Sequence, residues 1–134
     1  KFNLSTRLKG WSRGTKLLFK LMANTFTNKK ADLTTTNLTS VYTVPTATTA
    51  IIKSILVSED AGSGTTIDVT LVDSSSNIFN LFKAKAISSN TTVELLTQPL
   101  VLEESEILKV QAADANELHV IASILEVKPR EVTT

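Results

Sequence analysis

The chain reads as an all-β domain: an antiparallel β-sandwich or small β-barrel of six to eight short strands, with room for one helix at its N-terminus. Three observations predict this. From Val41 onward, short apolar runs recur with polar turns between them, the spacing of sandwiches and barrels. The sequence holds 20 threonines, whose β-branched side chains favour strands over helices. The connections are too short for the helical crossovers of a parallel sheet.

Each element follows from its own pattern. "SVYTV" (40–44) ends at Pro45, which has no amide proton to give a central ladder. "AIIKSILVS" (50–58) runs into the turn "EDAGSGT" (59–65), whose two glycines permit positive φ. "TIDVTLVD" (66–73) alternates, with Ile67, Val69 and Leu71 on one side and Thr66, Asp68 and Thr70 on the other. That is the period of a half-buried strand. "SSSN" (74–77) turns the chain into "IFNLFKAKAI" (78–87), and "SSNT" (88–91) turns it again into "TVELL" (92–96), stopped at Gln98-Pro99. "LVLEESE" (100–106) leads into "ILKVQA" (107–112), with Leu108, Val110 and Ala112 inward. "ADANE" (113–117) then turns into the last strand, "LHVIASILEV" (118–127). Residues 23–127 form the β domain and 128–134 a loose tail.

Two strands break the rule that an antiparallel sheet keeps one wet face. In "AIIKSILVS", strict alternation puts Ile51, Ile55 and Val57 on one face and Ile52 and Leu56 on the other. In "LHVIASILEV", Ile121 and Leu125 oppose Leu118, Val120, Ala122 and Ile124. Ile51, Ile52, Ile55, Leu56, Ile121 and Leu125 are therefore the candidate contacts of a homo-oligomer. The N-terminal segment folding back is the intramolecular alternative.

Residues 1–22 differ in composition. Lys1, Arg7, Lys9, Arg13, Lys16 and Lys20 stand there without an acid, whereas residues 23–134 carry the other eight basic residues and all 13 acids, a net of −5. Three readings stay open: translated upstream sequence with the natural start at Met22, a basic arm for nucleic acid through Arg7, Lys9, Arg13, Lys16 and Lys20, or a secretory signal. Lys20 interrupts the apolar stretch that a signal needs. A folded segment would be a short helix with Leu17, Leu18 and Leu21 on one side.

Groups able to do chemistry are sparse. There is no cysteine and one histidine, His119, so one chain cannot build a thiolate or poly-histidine metal site. His119 alternates with Ile121 in a strand and reads as a residue on a sheet face. Glu103, Glu104 and Glu106 could gather around Ca²⁺, but acids at a strand entry are more often simply solvated. Asp68 and Asp73 could pair with Lys83 or Lys85 across a hairpin. No phosphate loop, metal motif or acid–base pair is present, so neither an enzymatic activity nor a cofactor is expected. No run has the ~18 to 20 apolar residues of a membrane helix.

The stretches "MANTFTNKKADLTTTNLTSVYTVPTATTAIIKSILVSE" and "PLVLEESEILKVQAADANELHVIASILEV" resemble small virion structural proteins of tailed bacteriophages, notably marine ones. The likeness spans most of residues 22–127 and departs at "EES" (103–105), where those proteins commonly have a glycine–acid turn. It implies a virion component of the neck, tail or surface, with itself and other virion proteins as partners. Two other readings compete. A basic helix before short strands also describes an Sm-like barrel, a cytoplasmic RNA-binding ring, though the acidic strand region would repel phosphate. The polar turns 59–65 and 73–77 would serve a glycan-binding fibre module.

Overall fold

The computed structural model describes residues 20–131. Nine strands follow one another there: β1 (Lys20–Leu33), β2 (Thr39–Thr43), β3 (Thr49–Glu59), β4 (Thr65–Val72), β5 (Ile78–Ile87), β6 (Thr92–Glu94), β7 (Leu100–Leu102), β8 (Ile107–Ala112) and β9 (Leu118–Glu131). They form two antiparallel sheets. The larger has the order β1-β9-β3-β6, with β7 also paired to β3, and the smaller β2-β8-β4-β5. Among the described residues no strand pair joins the two sheets. The fold is thus a sandwich, and the closed-barrel alternative is set aside.

The strand count exceeds the expected six to eight because β1 was hidden. "KLMANTFTNKKADL" has no apolar alternation, yet all 14 residues pair in register with β9, from Lys20 opposite Glu131 to Leu33 opposite Leu118. The two chain ends therefore extend the larger sheet: β1 starts inside the segment read as separate, and β9 runs into the segment read as tail. Most of the expected N-terminal helix and the arm residues Arg7, Lys9, Arg13 and Lys16 lie outside the described residues, but its end, through Leu21 and Met22, is strand paired with β9 instead. Lys20 is the first residue of β1. No helix among the described residues is long and apolar enough to cross a membrane.

Only β4 and β5 join sheet neighbours as a hairpin, and β6 and β7 follow one another along one edge of β3. Every other connection crosses between the sheets, so each strand turns its apolar side to the space between them. The core is drawn from both: Ala50, Ile52, Ile55 and Val57 of β3 and Leu118, Val120, Ala122 and Ile124 of β9 meet Ile67, Val69, Leu108 and Val110 of β4 and β8. Each large aliphatic side chain buried in this way contributes about 1.5–3 kcal/mol. One polar clamp crosses the core. The Tyr42 hydroxyl on β2 donates to Glu126 Oε2 on β9 at 2.7 Å, with both residues buried. Burial, reinforced by that carboxylate, raises the phenol well above its ordinary pKa.

Strand β3 corrects the predicted faces. Its register with β9 shifts between Ile52 and Ser54, making a bulge at Lys53. An extra residue on one strand reverses which side chains point inward beyond it. Ala50 and Ile52 face the core before the bulge, and Ile55 and Val57 after it. Ile51 therefore shares the outer face with Leu56, not the inner face with Ile55 and Val57.

Candidate assembly surface

The pairing register of the larger sheet lays its outward side chains out in rows. Phe26 of β1 stands beside Leu125 of β9, Leu125 beside Ile51 of β3, and Ile51 beside Val101 of β7. Four strands thus carry one continuous apolar row. A polar row follows, with Asn28, Ser123 and Ser54, and then Lys30, Ile121, Leu56 and Glu94. The last row is Asp32, His119, Ser58 and Thr92. Phe26 is 75% exposed, Val101 56%, Ile121 39% and Leu56 37%. Between the apolar rows runs a shallow groove lined by Phe26, Thr27, Asn28, Lys53, Ser123 and Ile124. From strand spacing and rise, the two apolar rows bound about 14 Å by 14 Å of surface, on the order of 200 Å².

Of the six residues expected at an oligomer contact, the structure brings four together on this face: Ile51, Leu56, Ile121 and Leu125. Ile52 and Ile55 are fully buried in the core and are not available to a partner. Sequence reasoning missed Phe26, because β1 lacks the alternation that marks a strand. It also missed Val101, the outward residue of a three-residue strand with nothing to set a period.

The β3 edge needs special closure, since β6 pairs only with Leu56–Ser58 and β7 only with Ala50–Ile52. The Glu94 carboxylate fills the gap between them. It accepts from the Ser54 hydroxyl and from the backbone N–H groups of Ile55 at 2.8 Å and Leu96 at 3.1 Å. Burial pushes this carboxyl up, but the hydrogen bonds outweigh it and hold the pKa below its ordinary value.

His119 lies on the same face between two carboxylates, with Nε2 3.3 Å from Asp32 and Nδ1 3.5 Å from Asp60. Each ring nitrogen thus faces a carboxylate. Ser58, its register neighbour, accepts from the Thr92 hydroxyl at 3.2 Å, and no hydrogen bond joins Ser58 to the imidazole. An activated serine needs that bond, and Ser58 and His119 do not form it. Among the described residues no three His, Asp or Glu side chains converge as metal ligands.

The acids with other expected roles bind backbone instead. Glu104 accepts from Ala47 N–H, and Glu106 from Glu103 N–H at 2.7 Å, so this cluster ties turns together. Asp68 pairs with Lys83 at 3.1 Å as expected and also accepts from Ala84 N–H at 2.6 Å; the latter bond leads in lowering its pKa. The turns proposed for glycan likewise satisfy themselves. Glu59, 1% exposed, accepts from the backbone N–H groups of Gly62 at 2.8 Å, Ser63 at 3.0 Å and Gly64. Asp73 takes two N–H bonds from Ser75 and Asn77 and one from the Asn77 side chain.

No family model matches the chain, and no curated protein matches it. Among solved structures, a protein of Bacillus endospore appendages, described as disulfide-linked pili, is similar with a TM-score of 0.53 and 7% identity over 84% of this chain and 91% of that one. The present 134 residues contain no cysteine for such a linkage. A cyanophage Pam1 capsid chain has a TM-score of 0.39 at 16% identity, covering 84% of this chain and 88% of its own. A pentameric capsid protein from metagenomic phage sequences has a TM-score of 0.37 at 13% identity, covering 100% and 83%. Likeness as loose as these last two carries no weight for this chain. What is shared with the appendage protein is the fold, a two-sheet antiparallel sandwich.

Proposed function

We propose that the chain is a non-enzymatic structural protein that acts by self-assembly, through the outer face of β1, β9, β3 and β7. The observation that carries this is the continuous apolar row Phe26, Leu125, Ile51 and Val101 on a face that an antiparallel sheet ordinarily leaves polar. The sequence resemblance to phage virion proteins supports a place in a neck, tail or surface feature, with other virion proteins as neighbours. A nucleic-acid role would fall to residues 1–22 alone. Covering about 200 Å² on each of two copies, with the polar row Asn28, Ser123 and Ser54 inside that area, is worth less than about 10 kcal/mol at 25 cal/mol per Å² of apolar surface, against roughly 4–15 kcal/mol lost on association. One such contact gives a weak pair. Closed symmetry, the usual arrangement of identical subunits, repeats the contact and makes it sufficient.

Light scattering on the full chain over a range of concentrations tests this. The wild type should show a mass that is a multiple of 14.5 kDa, and Ile121→Glu and Leu125→Glu should reduce it while keeping the β circular dichroism. A wild type that stays monomeric at high micromolar concentration refutes the proposal.

A further inference from the structure

The two sheets have four edges, and three of them are blunted. Beyond β3 lie only the three-residue strands β6 and β7. Strand β2 is five residues long, and its register breaks between Ser40 and Tyr42. Strand β5 breaks register twice against β4, carries Lys83 and Lys85, and bends through Ala84 at φ 51°. Short strands, bulges and edge lysines are the devices by which sheets refuse another strand. Strand β1 is neither short nor bulged, and its lysines, Lys20, Lys29 and Lys30, leave residues 21–28 uncharged. It is 14 residues long, contains no proline and keeps unbroken register with β9, and among the described residues nothing pairs with its outer edge. A long regular edge is a template for an extended strand.

We propose that this edge pairs with β1 of a second copy, antiparallel about a two-fold axis at Phe26. The inference rests on the self-assembly reading above and names a second contact within it. The sequence of β1 complements itself about that point. Phe26 meets Phe26, Thr25 meets Thr27 and Asn24 meets Asn28, the aromatic and threonine pairs that stabilise cross-strand neighbours. The register ends bring Lys20 opposite Asp32. Pairing centred on Lys29 or Lys30 would set lysine against lysine, which is destabilising, and would leave much of the strand unpaired. The two-fold also accounts for the most exposed large apolar side chain among the described residues. Phe26 ends the apolar row at the edge, where its own sheet gives it a neighbour on one side only. Pairing supplies the other and makes the rows of the two copies continuous.

Cysteine cross-linking in the full chain tests the register, since each single variant carries one thiol. Directly opposed positions lie about 4.5–5.5 Å apart between Cα atoms, within disulfide reach. Phe26→Cys should oxidise to a covalent dimer about tenfold or more faster than Asn24→Cys or Asn28→Cys alone, because pairing holds its thiols at high effective concentration. Asn24→Cys mixed with Asn28→Cys should couple as the heterodimer. Equal rates at positions 24, 26 and 28, or no heterodimer preference, overturn the pairing. The same chains carrying Ile121→Glu separate the two contacts. Cross-linking that persists there upholds the edge even where the face fails; a wild type that assembles without the cross-linking pattern upholds the face and rejects the edge.

Discussion

The outer faces of the two sheets differ sharply in chemistry although both belong to antiparallel sheets around one core. On the smaller sheet, Thr66, Asp68 and Thr70 of β4 run beside Gln111 and Lys109 of β8, and an apolar row of Ile78, Val72 and Ile107 stands at one end of that face. On the larger sheet, the same positions hold Leu125, Ile51, Ile121 and Leu56 over a core of equal depth. Apolar outward side chains are confined to one end of the first face, whereas on the second they recur in two rows. Folding draws on the inner faces of both sheets, and the proposed assembly would draw on the outer face of the larger one.

Adjacent residues on β3 provide the sharpest way to break that assignment. Ile55 is fully buried and Leu56 is 37% exposed. Ile55→Ala should cost about 2–5 kcal/mol in denaturant unfolding, from lost transfer energy and the cavity left behind. Leu56→Ala should cost under about 1 kcal/mol, as surface changes do, while weakening self-association. Equal stability losses at the two sites would contradict the inward and outward faces that the bulge at Lys53 sets.

Acid should separate stability from assembly. Glu59, Asp68, Asp73 and Glu94 all have pKa values lowered in the folded chain, with hydrogen bonds to the Gly62 backbone, the Ala84 backbone and the Asn77 side chain foremost for the first three. A depressed folded value means that the stabilisation is complete above the unfolded pKa and is lost as pH falls through the folded one. The thermal midpoint should therefore stay flat from neutrality to about pH 5 and fall below about pH 4. Glu59→Gln should lower the midpoint at neutral pH and make the acid decline shallower. A midpoint that rises on acidification would contradict these carboxylates' role.

The smallest effect is expected in the turn between β7 and β8. Ser105 sits at φ 70°, a left-handed conformation in which a Cβ is strained and glycine is not. Ser105→Gly should stabilise the fold by about 0.5 kcal/mol, the relief of strain being partly offset by the freer unfolded chain. It lies away from the outer face of the larger sheet and should leave association unchanged.

Legibility in the sequence tracked periodicity. Strands β4 and β8 alternate over their whole lengths, and their inward residues were read correctly. So was β9, where Ile121 and Leu125 face out and Leu118, Val120, Ala122 and Ile124 face in. Strand β3 was found but its faces were mixed, because the bulge falls at Lys53-Ser54 with no glycine or proline to mark it. Strand β1 escaped because its stability comes from a ladder with β9, a long-range pairing that leaves no local pattern. The contact surface was accordingly legible in its β9 half and only partly so in β3. Phe26 and Val101 became visible once register placed them in one row.

One matched pair of substitutions measures the contrast between the two faces directly. Ile121→Glu and Gln111→Glu each put a carboxylate on the outward side of a strand, the first on the larger sheet and the second on the smaller. Sedimentation equilibrium of both, beside the wild type, should show Ile121→Glu shifted to lower mass and Gln111→Glu indistinguishable from wild type. Association that survives Ile121→Glu, or that is lost in Gln111→Glu, would contradict the assignment of assembly to the apolar face.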